Sequence, residues 1–189
     1  MNISRYCYTY RQAKKHVQAL KEILKHGPKQ DTILTLDSHF LVTHQISHLI
    51  LDFDGVLGPH GSTSPLPRVI EWLQELTASW AGQIYILTNK PLSVRAAYFE
   101  MKFPAVHFVK SPRKKPYPDG IKLVLEHAKV DSQHVAMVDD RLLTGILAAV
   151  AAGVTPVWIT KPFMSWRHFF VEGFFWCLRK IERLWVKCK

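Results

Sequence analysis

From Ser47 onward the chain alternates short apolar runs with longer stretches of helical periodicity. No other feature restricts the fold as much. His48-Leu49-Ile50-Leu51 is the first run, and Gln83 to Leu87, Val106 to Val109, Val135 to Val138 and Pro156 to Ile159 follow. Each is short enough for a buried strand. Between them lie Pro65 to Trp80, Leu92 to Met101, about Asp119 to Lys129, and Leu143 to Ala152, which Gly153 stops. In the first of these, Val69, Ile70, Leu73 and Leu76 fall on one helical face. The pattern predicts an α/β fold with a mainly parallel sheet and helices on both faces. Right-handed crossovers bring every strand C-terminus to one edge, where open α/β sheets bind ligands.

Residues 47–160 therefore form the expected α/β domain, flanked by 1–46 and 161–189. Ala13, Val17, Leu20 and Leu24 make residues 10–26 one amphipathic helix, ended by His26-Gly27-Pro28. This N-terminal extension is basic and acid-poor over its first 30 residues, a weak likeness to an organelle transit peptide. A basic surface helix is the favoured reading. Residues 31–46 suit a short strand and turn. Near the C-terminus, Trp166, Phe169, Phe170, Phe174, Leu178, Ile181, Leu184 and Trp185 recur at helical spacing. Arg167, His168, Arg179, Lys180, Arg183 and Lys187 take much of the remaining surface. Such a helix either packs on the core with its basic residues solvated, or lies in a membrane interface. Phe175 and Trp176 widen the apolar sector and favour the interface.

The balance of 25 Lys and Arg against 15 Asp and Glu favours an anionic partner: a phosphate ester, a nucleic acid or an acidic lipid surface. With 48% hydrophobic residues, 9 Gly and 11 Pro, disorder and collagen-like repeats are excluded. Three scattered cysteines argue against a disulfide framework and for a reducing compartment. No run reaches the roughly 18 apolar residues of a spanning helix, and a secretory signal is not expected. The expected location is the cytoplasm, peripheral on a membrane, with the mitochondrial matrix as the alternative.

Asp52, Asp54, Thr88 and the pair Asp139-Asp140 each follow a predicted strand, so they converge on one crevice. Clustered carboxylates repel one another and are tolerable mainly with a cation or a shared proton. Hard oxygen ligands suit Mg²⁺. A carboxylate can be the nucleophile in phosphoryl transfer, and a second one two residues on can serve as acid, then base. Thr88 and Lys115 could hold phosphoryl oxygens. Singly, each of these residues has a plainer reading as a cap, a turn or a solvated charge. Their order and placement favour chemistry.

Asp52-Phe53-Asp54-Gly55-Val56-Leu57 resembles the first motif of the haloacid dehalogenase phosphatase superfamily, and Leu87-Thr88-Asn89 the second. Lys115-Pro116 resembles the third, and Val138-Asp139-Asp140-Arg141 the fourth. The resemblance implies a Rossmann-like core, an aspartyl-phosphate on Asp52, and Asp54 as acid/base with its carbonyl toward Mg²⁺. It implies phosphate binding by Thr88, Asn89 and Lys115. Asp52, Asp54 and Asp140 become the metal residues, with Asp139, where Gly is common, as a further candidate ligand beside Asp140. The gaps leave no room for a cap domain, as in the capless subclass III. The run Asp139 to Leu147, with Asn89-Lys90, Arg95 and a closing Arg179-Lys180-Ile181-Glu182-Arg183, is similar to the phosphatidylglycerophosphate phosphatase family. Gly145 stands where that family usually has Asp, and Gly55-Val56 replaces its Asn-Thr.

Arg113 and Lys114 in the basic loop could draw an anionic headgroup toward the site. Three functions follow. The first is a Mg²⁺-dependent phosphatase of a membrane lipid phosphate, docked through its C-terminal helix. The second is a phosphatase of a nucleic-acid end, phosphoprotein or small ester. Nucleic acid ranks lower because no aromatic stacking platform is evident. The third is a non-catalytic binding module on the same fold.

Overall fold

The computed structural model describes residues 3–189; Met1 and Asn2 of the N-terminal extension lie outside the described residues. Six strands form one all-parallel sheet: β1 (Lys29–Gln30), β2 (His48–Leu51), β3 (Gln83–Ile86), β4 (Val106–Phe108), β5 (Val135–Asp139) and β6 (Thr155–Ile159). Their order is β1-β6-β5-β2-β3-β4. The chain moves outward from β2 through β3 to β4, then returns to lay β5 on the other side of β2. That reversal opens a crevice between the C-terminal ends of β2 and β5. Leu51 pairs with Val138 and Ile86, so residues 52, 87–88 and 139–140 emerge side by side.

Period-two alternation divides the core into two layers. Leu49, Leu51, Ile84, Ile86, Ala136 and Val138 face α4 (Pro67–Ser79) and α5 (Ser93–Lys102) through Val69, Leu73 and Phe99. Ile50, Tyr85, Val135 and Met137 face α6 (Asp119–Ala128) and α7 (Leu147–Ala152) through Ile121, Val124 and Ala148. Burying each Leu or Ile is worth about 1.5–3 kcal/mol, so these two layers carry the domain.

Three expectations need correction. Residues 10–26 are two helices, α1 (Ile3–Lys15) and α2 (Val17–Lys25), because His16 leaves helical geometry at φ −107°, ψ 18°. The stretch 31–46 is helical rather than a strand and turn: a single tight turn at Ile33–Thr35, then α3 (Ser38–Thr43). Asp37 caps α3 by accepting from the Phe40 N–H at 2.7 Å. The sixth strand, β1, is two polar residues held by β6, too short for an apolar pattern to reveal. In addition, Leu142–Ile146 forms a wide turn of π geometry ahead of α7.

The final helix, α8 (Phe169–Cys188), follows a short turn at Trp166–His168. Val186 joins Ala13, Leu20, Ile23, Leu142 and Trp158 in a third apolar cluster that ties α8 to α1 and α2. The other buried residues of α8 are Glu172, Arg179 and Glu182. The basic residues of this helix are therefore not all solvated.

Candidate active site

Asp52 follows β2, and its N–H donates to the Val138 carbonyl at 3.0 Å, which extends the ladder one residue beyond the strand. The chain then turns sharply at Gly55, where φ is +87° and a Cβ would meet Asp140 Oδ2 at 2.8 Å. Glycine here supplies both the backbone conformation and the close approach of the two loops. The turn leaves Asp52 and Asp54 on the crevice side.

Asp52, Asp139 and Asp140 bring carboxylate oxygens within 4.8 Å of one another. Lys115 lies among them, with its Nζ 2.6 Å from Asp139 Oδ2 and 3.0 Å from Asp52 Oδ1. Asp139 Oδ1 also accepts from the Arg141 N–H at 2.9 Å. Both Asp139 oxygens are thus engaged by the protein. Asp52 Oδ2 and Asp140 Oδ1 have no protein partner among the described residues. Burial pushes the Asp52 carboxyl well above the ordinary carboxylate range; Lys115 opposes that, and Asp139, Asp140 and Asp54 add to it. Burial likewise takes Asp140 up to about 6, against the opposing charge of Arg179. Burial would lower Lys115, but Asp139 and Asp52 outweigh it and hold the ammonium charged. Two hard oxygens that resist ionisation alone, beside a third carboxylate already neutralised, fit a divalent cation such as Mg²⁺. Asp52 and Asp140 would hold it, and Asp139 holds Lys115.

Gly145 explains how Asp139 fits. A Cβ at position 145 would lie 1.9 Å from Asp139 Oδ2, so the Asp139 carboxylate fills the space that a side chain at 145 would need.

Thr88 is buried at the crevice, and its hydroxyl accepts from the Lys90 N–H at 3.1 Å. Asn89 does not point at the crevice as the sequence suggested. Its Oδ1 accepts from the Lys115 N–H at 2.7 Å and its Nδ2 donates to the Lys115 carbonyl at 3.2 Å. It clamps the backbone that carries Lys115. Arg113 is also engaged elsewhere. It donates to Asp119 Oδ1 at 2.8 and 3.0 Å and lies 4.2 Å over the Tyr117 ring. Lys114 is exposed. Tyr8 of α1 stacks on Tyr117 at 4.0 Å, so the N-terminal extension packs against the basic loop.

Asp54 is held by Arg95, which the sequence marked only through its likeness to a family. The Arg95 guanidinium is fully buried on α5, 3.8 Å over the Phe53 ring. It donates to Asp54 Oδ1 at 2.8 Å and Oδ2 at 3.1 Å, and to the Ser62 carbonyl at 2.9 Å. Burial alone would raise Asp54, but the hydrogen bonds and charge of Arg95 outweigh it and leave the carboxyl below its ordinary value. Gly61 N–H donates to Asp54 Oδ1 at 3.3 Å.

The C-terminal helix completes the site. Arg179 Nε donates to Asp140 Oδ2 at 2.5 Å. Glu182 accepts from Arg141 Nε at 2.8 Å and from the Leu143 N–H at 3.3 Å. Glu172 accepts from the His60 N–H at 3.0 Å and contacts His60 Nδ1 at 3.2 Å. A sequence signal existed for these contacts: 172, 179, 182 and 186 recur as i, i+7, i+10 and i+14, one helical stripe.

The haloacid dehalogenase-like hydrolase family model matches residues 4–153. The chain belongs to that family. With its buried aspartate triad it is a phosphatase-type enzyme whose chemistry depends on Mg²⁺. No curated protein matches. An uncharacterised protein from Listeria monocytogenes serotype 4b is 16% identical with a TM-score of 0.51, over 65% of this chain and 84% of the other. A haloacid dehalogenase-like hydrolase from Streptococcus pneumoniae is 16% identical at 0.47, over 68% and 91%. The 3-deoxy-D-manno-octulosonate 8-phosphate phosphatase of Moraxella catarrhalis is 13% identical at 0.47, over 78% and 97%. At these identities the likeness concerns the fold.

Proposed function

We propose that this protein hydrolyses a phosphate monoester on a membrane lipid, with phosphatidylglycerophosphate as the first candidate. Asp52 attacks the phosphorus, forming an aspartyl-phosphate and breaking the bond to the leaving oxygen. Thr88 and Lys115 hold the phosphoryl oxygens, and Lys115 offsets charge developing there. Asp54 protonates the leaving oxygen, then takes a proton from the water that releases phosphate. Arg95 keeps Asp54 ionised in the free enzyme, and an entering phosphoryl dianion raises its proton affinity. Mg²⁺ held by Asp52 and Asp140, with the Asp54 carbonyl implied by the family resemblance, supplies charge neutralisation when bound.

The observation that carries the lipid reading is the outer face of α8 and of the turn that precedes it. Trp166 is 88% exposed and Phe170 89%, and Phe169, Phe174, Trp176, Ile181 and Leu184 are each at least half exposed. So many large apolar side chains on one face suit a membrane interface, with Arg167, Lys180 and Lys187 beside them to meet anionic headgroups. No described helix is long and apolar enough to cross a membrane. A second reading is hydrolysis of small soluble esters. The burial of the site carboxylates favours it: Asp52 is 7% and Asp140 2% exposed.

The test is phosphate release with Mg²⁺ from phosphatidylglycerophosphate in mixed vesicles, beside soluble monoesters, with wild type and Asp52→Asn. Preference for the lipid, lost in the variant, supports the proposal. Turnover of soluble esters alone selects the second reading.

A further inference from the structure

Beside the catalytic loop lies a groove of about 380 Å³, walled by Met164, Trp166, Phe169 and Trp176 and floored by Glu172 and Gly173. Its walls are almost wholly apolar. Nothing lies within 4 Å of a Cβ placed at Gly173, so the groove stays open where α8 carries no side chain. Glycine inside a helix costs about 1 kcal/mol relative to alanine. Here it creates space that any other residue would fill.

The groove is joined to the site at several points. Phe163 N–H donates to the Gly55 carbonyl at 2.9 Å. Glu172 Oε1 accepts from the N–H of His60 and, at 3.3 Å, from that of Ser165, so one carboxylate binds the catalytic loop to the groove wall. His168 Nε2 lies 3.9 Å from where a Gly61 Cβ would stand, and Gly61 itself donates to Asp54. The segment 163–168 beside the groove thus packs against the loop 55–61, which donates a hydrogen bond to Asp54. A pocket of this size and lining binds an apolar chain, and the basic Arg167 follows Trp166 of its wall in the same short turn.

We infer that this groove takes the first methylenes of an acyl chain whose phosphate occupies the Asp52 site. The inference rests on the lipid reading above and adds to it a specific binding position. Chain burial there contributes to recognition of each substrate molecule, independently of whether a bilayer is present.

The experiment uses monomeric 1-acyl-glycerol 3-phosphates of increasing chain length, kept below their micelle-forming concentrations, with p-nitrophenyl phosphate as a chainless control. For wild type, kcat/KM is expected to rise about fourfold per added methylene until the groove is full. Gly173→Leu fills the groove and favours the helix. It should flatten that rise and leave p-nitrophenyl phosphate turnover unchanged. Should Gly173→Leu fail to fold, Phe169→Ser at the wall serves instead and should halve the slope or more. A steep rise that neither variant alters overturns the groove and leaves the lipid substrate standing. A flat wild-type series, with the control ester turned over, overturns the groove, and the vesicle assay described above then decides the lipid reading separately.

Discussion

Helices α4 and α8 are both amphipathic, and they are mounted in opposite senses. Helix α4 buries Val69, Trp72, Leu73 and Leu76 against the sheet and gives its polar side to water. Helix α8 buries Glu172, Arg179 and Glu182 against the catalytic loops and turns its aromatic side outward. The first arrangement is what the hydrophobic effect selects in a soluble domain. The second leaves large apolar surface in water and puts three charges where desolvation opposes them. Those charges are tolerated because each meets a partner at the site: His60, Asp140 and Arg141. A helix mounted this way holds the active-site loops on one side and keeps an apolar face free on the other.

Asp52→Asn sets the scale with the largest expected effect. Phosphate release should fall by at least about 10⁴-fold, with an unchanged circular dichroism spectrum. A variant retaining a tenth of the activity would remove Asp52 as nucleophile.

Next comes a paired test of the two helices. Leu73→Ala on α4 and Arg179→Met on α8 should each lower stability by roughly 3 kcal/mol in urea titration, the first by leaving a cavity and the second by stranding Asp140. Only Arg179→Met should also lower kcat of the folded enzyme. Equal turnover in both variants would break the contrast.

A smaller effect concerns protons and metal. The Asp140 carboxyl is raised from 3.8 to about 6 in the folded chain. Between those values the folded state binds more protons than the unfolded one, so the metal-free protein loses stability as pH rises through about 4 to 6. Mg²⁺ needs the carboxylate. Its stabilising shift in Tm should therefore be full at pH 8 and fade as pH falls through about 6. A shift of equal size at pH 5 and 8 would place the metal elsewhere.

The smallest effect is expected on the outer face. Trp166→Ser and Phe170→Ser should change stability by no more than about 0.5 kcal/mol, checked by thermal melts. A loss of several kcal/mol would mean that these rings are packed, not free.

The central layers were legible in the sequence because β2, β3 and β5 combine apolar runs with polar residues just past their ends. Asp52, Asp54, Thr88, Asp139 and Asp140 meet for that reason, and Lys115 joins them from the loop after β4. The partners that orient them were harder to see. Arg95 sits in the first turn of α5, at the sheet edge that carries the site, and Arg179 lies 39 residues beyond Asp140. Neither stands directly after a strand, so pattern alone does not pair either with a carboxylate. Arg179 reads from the sequence as one of several surface charges on a helix whose aromatic side suits a membrane interface, and nothing in that pattern turns it toward Asp140. Asn89 and Arg113 are engaged by nearby acceptors and donors in 114–119, local contacts that motif spacing does not reveal. The two polar residues of β1 owe their strand to β6 and carry no periodic signal of their own.

The most direct test of the two-sided helix is Mg²⁺-dependent phosphate release by wild type and the double variant Trp166→Ser/Phe170→Ser. The substrates are a lipid phosphate in anionic vesicles and p-nitrophenyl phosphate in solution. The double variant should keep soluble turnover within about twofold of wild type and lose lipid turnover by about 100-fold, the worth of roughly two buried aromatic contacts. Equal lipid turnover in both proteins, or an equal loss on both substrates, would contradict a helix that holds the site with one face and the membrane with the other.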